Sequence, residues 1–288
     1  MPPAPPILAA VRLGRVELQV VSDGTVRLDG GNVFGVVPRA LWGRWVRPDR
    51  RNRVTIALNC LLLRVDGKNI LLDTGVGTKH PPRRRAIYAM RGGHLPRALA
   101  SLGLGPEDIH VVALTHLHFD HAGGCTRRDR RGRLAPVFPR ARYLVQRGDW
   151  EEATETNERT RAAYYPEDFL PLHDAGLVEL VEGDVEVAPG VWLRHTGGHT
   201  RGHQALQVQV EGHTAICLGD VLPSPLHLPV HYAMAWDLYP LDTLRAKRHF
   251  LPRAAEEGWL VLFGHGLETR AGRITPQGDR FQLHPVEL

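Results

Sequence analysis

Short apolar runs separated by turns rich in Gly, Pro and Asp make up most of the chain. Runs of this kind, bounded by turn residues, are typical of strands. Two of them flank Ser22-Asp23-Gly24, and we expect a hairpin at that turn. The predicted strands are Val16–Val21, Thr25–Leu28, Ile56–Val65, Asn69–Asp73, Val111–Thr115, Tyr143–Val145, Val178–Leu180, Val185–Ala188, Val191–His195, Gln204–Val210, Thr214–Leu218 and Trp259–Phe263.

Helical patterns are fewer. We expect helices at Leu95–Leu102, at Asp149–Tyr165, where Pro166 would end the helix, and at Leu241–Glu257. Strands outnumber helices, yet helices occur in both halves. This mixture favours an α/β layered sandwich with largely antiparallel sheets over a doubly wound parallel sheet. No change in composition marks a linker, so we expect a single domain over residues 11–288, after a disordered Pro-rich tail over residues 1–10.

The segment from Asp29 to Arg50 follows neither periodicity. It mixes Gly and Pro with the aromatic residues Phe34, Trp42 and Trp45. Apolar residues in an irregular segment are compatible with a flap over a substrate and with a loop that covers the core. We favour the flap.

Composition and charge mainly serve to exclude classes of partner and of cellular setting. The chain has 36 Lys and Arg against 31 Asp and Glu, spread without one continuous basic stripe, so we expect no nucleic-acid partner. No apolar stretch approaches the roughly 18 residues of a membrane span, and no signal-peptide pattern is visible. Three cysteines make no disulfide framework, so a cytoplasmic setting is expected. The expected partner is a small-molecule substrate, and a homodimer is left open.

A cluster of metal-binding residue types follows the predicted strand Val111–Thr115. The loop reads His116-Leu117-His118-Phe119-Asp120-His121. Imidazole and carboxylate groups suit borderline divalent metals such as Zn²⁺. Because a loop turns neighbouring side chains in different directions, His116 and His118 could serve one ion while Asp120 and His121 serve another.

Three later strands end in the same way. His199 follows two glycines after one strand, Asp220 follows the run Ala215–Gly219, and His265 follows Leu260–Gly264. Because the same placement recurs after three strands, we interpret these residues and the histidine motif as one set of candidate metal ligands. Seven such side chains divide into two sites bridged by one carboxylate.

These residues resemble the metal site of the metallo-β-lactamase superfamily, over about Val16 to Arg270. Asp73 in the sequence Leu71–Gly75, the His116–His121 motif, and the three later residues occur in the family's order. The resemblance implies a four-layer αββα sandwich with two divalent metal ions, zinc above all, with iron or manganese as alternatives. It implies His116, His118 and His199 on the first metal, Asp120, His121 and His265 on the second, Asp220 as the bridge, and Asp73 hydrogen-bonded to a ligand.

Departures from the family's branches narrow the function. Asp220 stands where β-lactamases of this fold often have a Cys, and His118 separates the chain from the iron flavoprotein branch. Too few residues follow His265 for the C-terminal domain of the glyoxalase II type, and the interval 220–265 is too short for the insertion of the nucleases. The lactonase type often has a Tyr where this chain has Pro223. The remaining resemblance is to the group of lactonases and organophosphorus hydrolases.

Other residues are expected to complete the site. We expect Asp120 to guide a proton as well as to bind metal, and His203 to contact a ligand from outside. Aromatic residues on the cleft would favour a substrate with an apolar acyl or aryl group. The residues expected to form the substrate wall are Phe34, Trp42, Trp45, His227, His231 and Tyr232.

The sequence therefore predicts a hydrolase that uses hydroxide between two metals to cleave a small ester, lactone or phosphotriester. Three alternatives remain at this point. They are a thioester hydrolase of the glyoxalase II type without its C-terminal domain, a nuclease or phosphodiesterase of the same fold, and an iron-dependent oxygenase or redox protein.

Overall fold

The computed structural model describes residues 10–288, and the predicted tail therefore lies, apart from Ala10, outside the described residues. The strands are β1 (Val11–Leu13), β2 (Val16–Asp29), β3 (Arg53–Val65), β4 (Lys68–Leu72), β5 (Val111–Ala113), β6 (Thr126–Arg128), β7 (Leu134–Pro136), β8 (Arg142–Gln146), β9 (Val178–Val181), β10 (Val185–Ala188), β11 (Val191–His195), β12 (Gln204–Val210), β13 (His213–Cys217), β14 (Leu260–Leu262), β15 (Ala271–Gln277) and β16 (Arg280–Pro285). The helices are α1 (Gly30–Phe34), α2 (Arg39–Trp42), α3 (Pro82–Ile87), α4 (Leu95–Ser101), α5 (Phe119–Ala122), α6 (Arg147–Thr154), α7 (Pro166–Asp174) and α8 (Pro240–Glu256). Within residues 10–288, no helix is both long and apolar enough to cross a membrane.

Two seven-stranded sheets face each other. The first has the order β1-β2-β3-β4-β5-β8-β9, and the second runs from β10 to β16 in chain order. Alternate side chains of both sheets, such as Leu63 and Leu206, meet in a common buried core. Helices α4 and α7 pack on the outer face of the first sheet, and α8 packs on that of the second. The expectation of a four-layer αββα sandwich is thereby confirmed.

Both sheets are mixed in strand direction. The first is antiparallel from β1 to β4 and parallel from β4 through β5 and β8 to β9. The second is antiparallel except for the pair β13 and β14. Parallel neighbours end at the same edge of a sheet, so the segments after β13 and β14 lie side by side, at the edge where ligands commonly bind in α/β folds.

The predicted hairpin at Ser22-Asp23-Gly24 is wrong. Strand β2 is continuous and pairs along its length with β3, with a bulge between Ser22 and Gly24. The buried Asp23 is used inside the fold instead of in a turn, because its carboxylate accepts four backbone N–H groups from two loops. The donors are Val76, Gly77, Gly93 and Leu95.

Two further expectations need correction. The helix predicted over Asp149–Tyr165 is the shorter α6, and Pro166 begins α7 instead of ending a helix. Proline is favoured at the first helical position, where its missing N–H costs nothing. The β15–β16 hairpin, which completes the second sheet, was not predicted.

The segment from Asp29 to Arg50 is a cover of the core and not an irregular flap. It contains α1 and α2, and Asp29 caps α1 by accepting from the backbone N–H groups of Gly31 and Asn32. Phe34 and Trp42 are 2% and 1% exposed, and their rings stack with centroids 5.2 Å apart. Only Trp45 of the three aromatic residues is exposed, at 47%.

Candidate metal centre

The seven predicted ligands lie together at one edge of the sandwich. His116 and His118 follow β5, Asp120 and His121 lie in α5, and the remaining three follow strands of the second sheet. All seven side chains are buried. The later three are His199 after β11, Asp220 after β13 and His265 after β14.

Their donor atoms form three overlapping groups, within each of which the atoms lie no more than 4.8 Å apart. Nitrogen and oxygen atoms at this spacing can converge on a small divalent cation. The groups are His116, His118 and His199; His116, His121 and Asp220; and Asp120, His121 and His265.

Asp220 lies between the two outer groups. Its Oδ1 is 3.1 Å from His265 Nε2 and 3.4 Å from His121 Nε2. Its Oδ2 is 3.4 Å from His199 Nε2 and 4.0 Å from His116 Nε2. One oxygen therefore faces each group, as a carboxylate shared by two cations would.

Two atoms of the cluster test whether the residues fit a metal. His116 Nε2 and Asp220 Oδ1 are buried without a hydrogen-bond partner. Such atoms are costly unless something else satisfies them. A divalent cation coordinated by imidazole and carboxylate groups would satisfy both, so the residues fit.

Contacts behind the cluster fix the orientation of three imidazoles. In each ring, Nδ1 donates to an oxygen outside the cluster and leaves the lone pair of Nε2 directed inward, as metal binding requires. The backbone N–H of Thr115 also donates to Asp73 Oδ1, at 2.8 Å, which holds that acceptor in place. The pairs are His121 with Asp73 Oδ2 (2.9 Å), His199 with Asp237 Oδ1 (2.8 Å) and His265 with the carbonyl of Ala57 (2.8 Å).

His203 supports the backbone of Asp220. Its Nε2 accepts from the backbone N–H of Asp220 at 3.1 Å, and its Nδ1 lies 2.6 Å from Thr196 Oγ1. Burial, with the nearby His199, holds the pKa of His203 well below its usual range. The ring is therefore neutral, and Nδ1 donates to Thr196.

Burial and neighbouring charges shift the pKa values of the clustered histidines in opposite directions. Burial lowers the pKa of His116 and of His118 well below the usual range, which keeps these imidazoles neutral. Burial also acts to lower the pKa of His121, but the carboxylates of Asp220, Asp73 and Asp120 outweigh it and raise that pKa well above the usual range. For Asp220, neighbouring histidines outweigh burial and hold its pKa well below the usual range. A cation bound here would displace protons from the histidines.

A cleft of about 730 Å³, partly open to solvent, leads to the cluster. His118, Asp120, His199, Asp220 and His265 lie on its surface. Its other walls are mostly apolar, which suits a small ligand with an apolar part. They comprise Leu28, Val33, Ile56, Tyr88, Phe119, Ala162, Ala163, Pro223, Met234 and Trp236, with Arg159, Ser224 and His227 as polar members.

One of the six residues expected to form the substrate wall lies on the cleft in this structure. Among the described residues, His227 lines the cleft, but the other five predicted residues do not. Phe34 is packed behind the wall, with its ring stacked on His227 at 5.4 Å. The residues that do not line the cleft are Phe34, Trp42, Trp45, His231 and Tyr232.

Sequence reasoning also missed Asp237 and most of the apolar lining. Phe119 had a usable signal, because it lies inside the histidine motif. Tyr88, Trp236 and Asp237 lie in segments without periodicity, far along the chain from the motif, and no local pattern marks them.

The loop that carries Trp236 and Asp237 is attached to α8 by a buried lysine. Lys247 Nζ donates to three backbone carbonyls of the loop. Burial lowers the pKa of Lys247 to about 7, although the nearby Asp237 acts to raise it. The acceptors are His227 (2.6 Å), Pro229 (3.2 Å) and Tyr232 (2.5 Å).

Comparisons with known proteins point in one direction. Residues 56–265 match the model of the metallo-beta-lactamase superfamily. An N-acyl homoserine lactonase of Bacillus cereus is 32% identical over 241 residues, which cover 78% of this chain and 88% of the relative. A probable metal-dependent hydrolase from Staphylococcus aureus is 28% identical, with a TM-score of 0.88 over 96% of this chain and 99% of that one. A dizinc quorum-quenching lactonase, solved with a product, has a TM-score of 0.80 over 98% of each chain at 18% identity, which is a likeness of fold.

Proposed function

This chain belongs to the metallo-beta-lactamase superfamily and is a metallo-hydrolase, and on that premise we propose that it opens lactones that carry an apolar acyl chain. The observation that carries the proposal is the position of Asp220, with one oxygen toward each ligand group at the end of an apolar cleft. The named activity of the Bacillus cereus relative makes N-acyl homoserine lactones the first substrates to test.

Two zinc ions are the proposed cofactors. His116, His118 and His199 would hold one ion, Asp120, His121 and His265 the other, and Asp220 both. Divalent ions in such sites supply Lewis acidity and hydroxide at neutral pH.

The chain's own residues would bind the substrate and handle the proton. Apolar walls such as Ile56 and Met234 would take the acyl chain and exclude water from the reacting carbonyl. Asp120 Oδ2 lies 3.7 Å from His265 Nε2, and Asp120 lines the cleft. We assign to its carboxylate the transfer of a proton to the alcohol oxygen released when the ring opens.

The test is metal quantification of the purified protein, followed by a substrate panel. We expect two zinc ions per chain and turnover of N-acyl homoserine lactones. The panel also contains an aryl ester, a thioester, a phosphotriester and single-stranded nucleic acid. Preference for the thioester or for nucleic acid would replace the proposal by the glyoxalase II or nuclease alternative, and iron with no hydrolysis would favour a redox protein.

Asp220→Asn tests the bridge within the same experiment. The substitution removes a negative charge from between two cations, so we expect loss of one metal and a fall in turnover of orders of magnitude. Asp279→Asn is the matched control, because that side chain is 95% exposed. An Asp220→Asn protein with both metals and normal turnover would contradict the bridging role.

A further inference from the structure

Ser224 and His227 form a polar pair on the mostly apolar wall of the cleft. Ser224 follows Pro223, whose carbonyl accepts from the backbone N–H of His265 at 2.8 Å. Ser224 therefore comes directly after a residue whose backbone is hydrogen-bonded to a candidate metal ligand. Neither side chain has a role in the proposed reaction.

The other hydrogen bond of His227 determines which of the two side chains donates in the hydrogen bond between them. Its Nε2 lies 2.9 Å from the carbonyl of Val33, and a carbonyl can only accept, so Nε2 carries a proton. Burial, with the nearby Lys247, lowers the pKa of His227 to about 4, so the ring is neutral and Nδ1 carries none. Ser224 Oγ, 2.9 Å from Nδ1, must therefore donate its proton to His227.

This arrangement leaves the oxygen of Ser224 as an acceptor. Its one proton is used by His227, and among residues 10–288 its side chain makes no other hydrogen bond. The side chain is half-buried on the cleft wall. Arg159, at the same cleft, offers only donors. The fixed hydroxyl thus complements a ligand group that donates.

We propose that Ser224 Oγ accepts a hydrogen bond from an N–H group of the substrate, and so selects lactones with an amide beside the ring. This inference rests on the proposed lactone hydrolysis and names a specificity-determining residue for it. His227 and the Val33 carbonyl act by positioning, since they hold the hydroxyl proton away from the cleft.

The experiment compares two lactones that differ in one group. One is N-hexanoyl homoserine lactone, and the other has a methylene in place of the amide N–H. We expect the wild type to prefer the amide by about tenfold in kcat/KM, the usual value of one neutral hydrogen bond. Ser224→Ala should lose that preference by losing rate on the amide alone. It should also bind the ring-opened amide product about tenfold more weakly, as measured by tryptophan fluorescence.

Matched variants separate this role from a structural one. Ser101→Ala removes an exposed hydroxyl that donates to the Arg97 carbonyl, and it should change neither substrate. Ser224→Thr keeps the hydroxyl and should keep the preference. Ser224→Gly repeats the test of Ser224→Ala if the latter does not fold, and melting temperature and metal content are recorded for all variants.

Each outcome decides between the two proposals. If the wild type opens lactones but does not prefer the amide, or if Ser224→Ala keeps the preference or loses rate equally on both substrates, the role of Ser224 is overturned and lactone hydrolysis stands. If the wild type opens no lactone, both proposals are overturned.

Discussion

Asp237 determines which nitrogen of His199 faces the cluster. Its Oδ1 accepts from His199 Nδ1 at 2.8 Å, and both side chains are 1% exposed. A carboxylate behind a ligand imidazole fixes its tautomer and makes the inward nitrogen more basic. Asp73 does the same for His121.

Asp237→Asn should weaken zinc binding about 10- to 100-fold, because the amide keeps the shape but removes the charge behind His199. Competition with a chromogenic chelator measures the affinity. Asp279→Asn is again the exposed control and should bind zinc as the wild type does. Equal affinities for the two variants would show that Asp237 has no part in holding the ligand.

At the scale of single residues, the sequence predicts which side chains come together where residue types cluster. Four of the seven candidate ligands lie within His116–His121, and the other three follow apolar strands, so pattern alone was enough to propose them. Asp237 could not be found in this way. Its role depends on where a loop without periodicity places it, and that placement depends on Lys247 in a distant helix.

At the scale of elements, strands with strongly apolar runs were predicted closely. Ile56–Val65 lies within β3, and Gln204–Val210 is β12 as predicted. The errors lie where one residue type serves two structures. Asp and Gly suit both a turn and a bulge, as at Ser22–Gly24, and Pro suits both the end and the beginning of a helix, as at Pro166. Tertiary contacts decide between these uses, and local sequence does not contain them.

The buried ring of Trp42 in α2 should act on stability and not on substrate choice. Trp42→Ala removes a ring that is 1% exposed and stacked on Phe34, so we expect a loss of about 3–5 kcal/mol in the free energy of unfolding. Trp45→Ala, at a position 47% exposed, should change little. Chemical denaturation and the ranking of the lactone panel are the measurements. A changed ranking in Trp42→Ala with an unchanged free energy of unfolding would restore the flap interpretation.

A buried ion pair connects α7 to Lys79, which lies between β4 and α3. Lys79 Nζ lies 2.6 Å from Asp168 Oδ1, and the two side chains are 1% and 0% exposed. The same ammonium donates to the carbonyl of Gly123, directly after the histidine motif. The pair therefore supports the backbone of the candidate metal centre from outside.

Asp168→Asn should destabilise the protein by about 3–5 kcal/mol, because it leaves the buried ammonium of Lys79 without its counter-ion. The double variant Lys79→Met with Asp168→Leu removes both charges and should recover most of this loss. Denaturation of the wild type and the two variants measures the difference. A double variant as unstable as the single one would show that the packing of α7, and not the charge, is decisive.

At the scale of the whole molecule, the candidate ligands come from both sheets. Four follow the first sheet's strand β5, and three follow strands of the second sheet. Bound metal would therefore connect the two halves of the sandwich. Because a ligand that binds only the folded state stabilises that state, the metal would also stabilise the fold.

Removal of metal should lower the melting temperature. With free zinc at a hundred times its dissociation constant, binding adds about 2.7 kcal/mol to the free energy of unfolding, which corresponds to a shift of about 5 °C in a chain of this size. Calorimetry before and after chelation measures the shift, and zinc added back should reverse it. An unchanged melting temperature after complete removal would mean that the metal does not bind the folded state in preference to the unfolded one.

The division of the ligands between the sheets also has a kinetic consequence. His116 and His121 can take their places once β5 has formed, but Asp220 and His265 join them only after the second sheet has docked. Contacts between segments so distant in sequence form late, because the loop they close is long. During refolding, zinc would thus bind its full set of ligands only when the two sheets dock. A metal-sensitive probe would therefore report docking separately from the formation of either sheet.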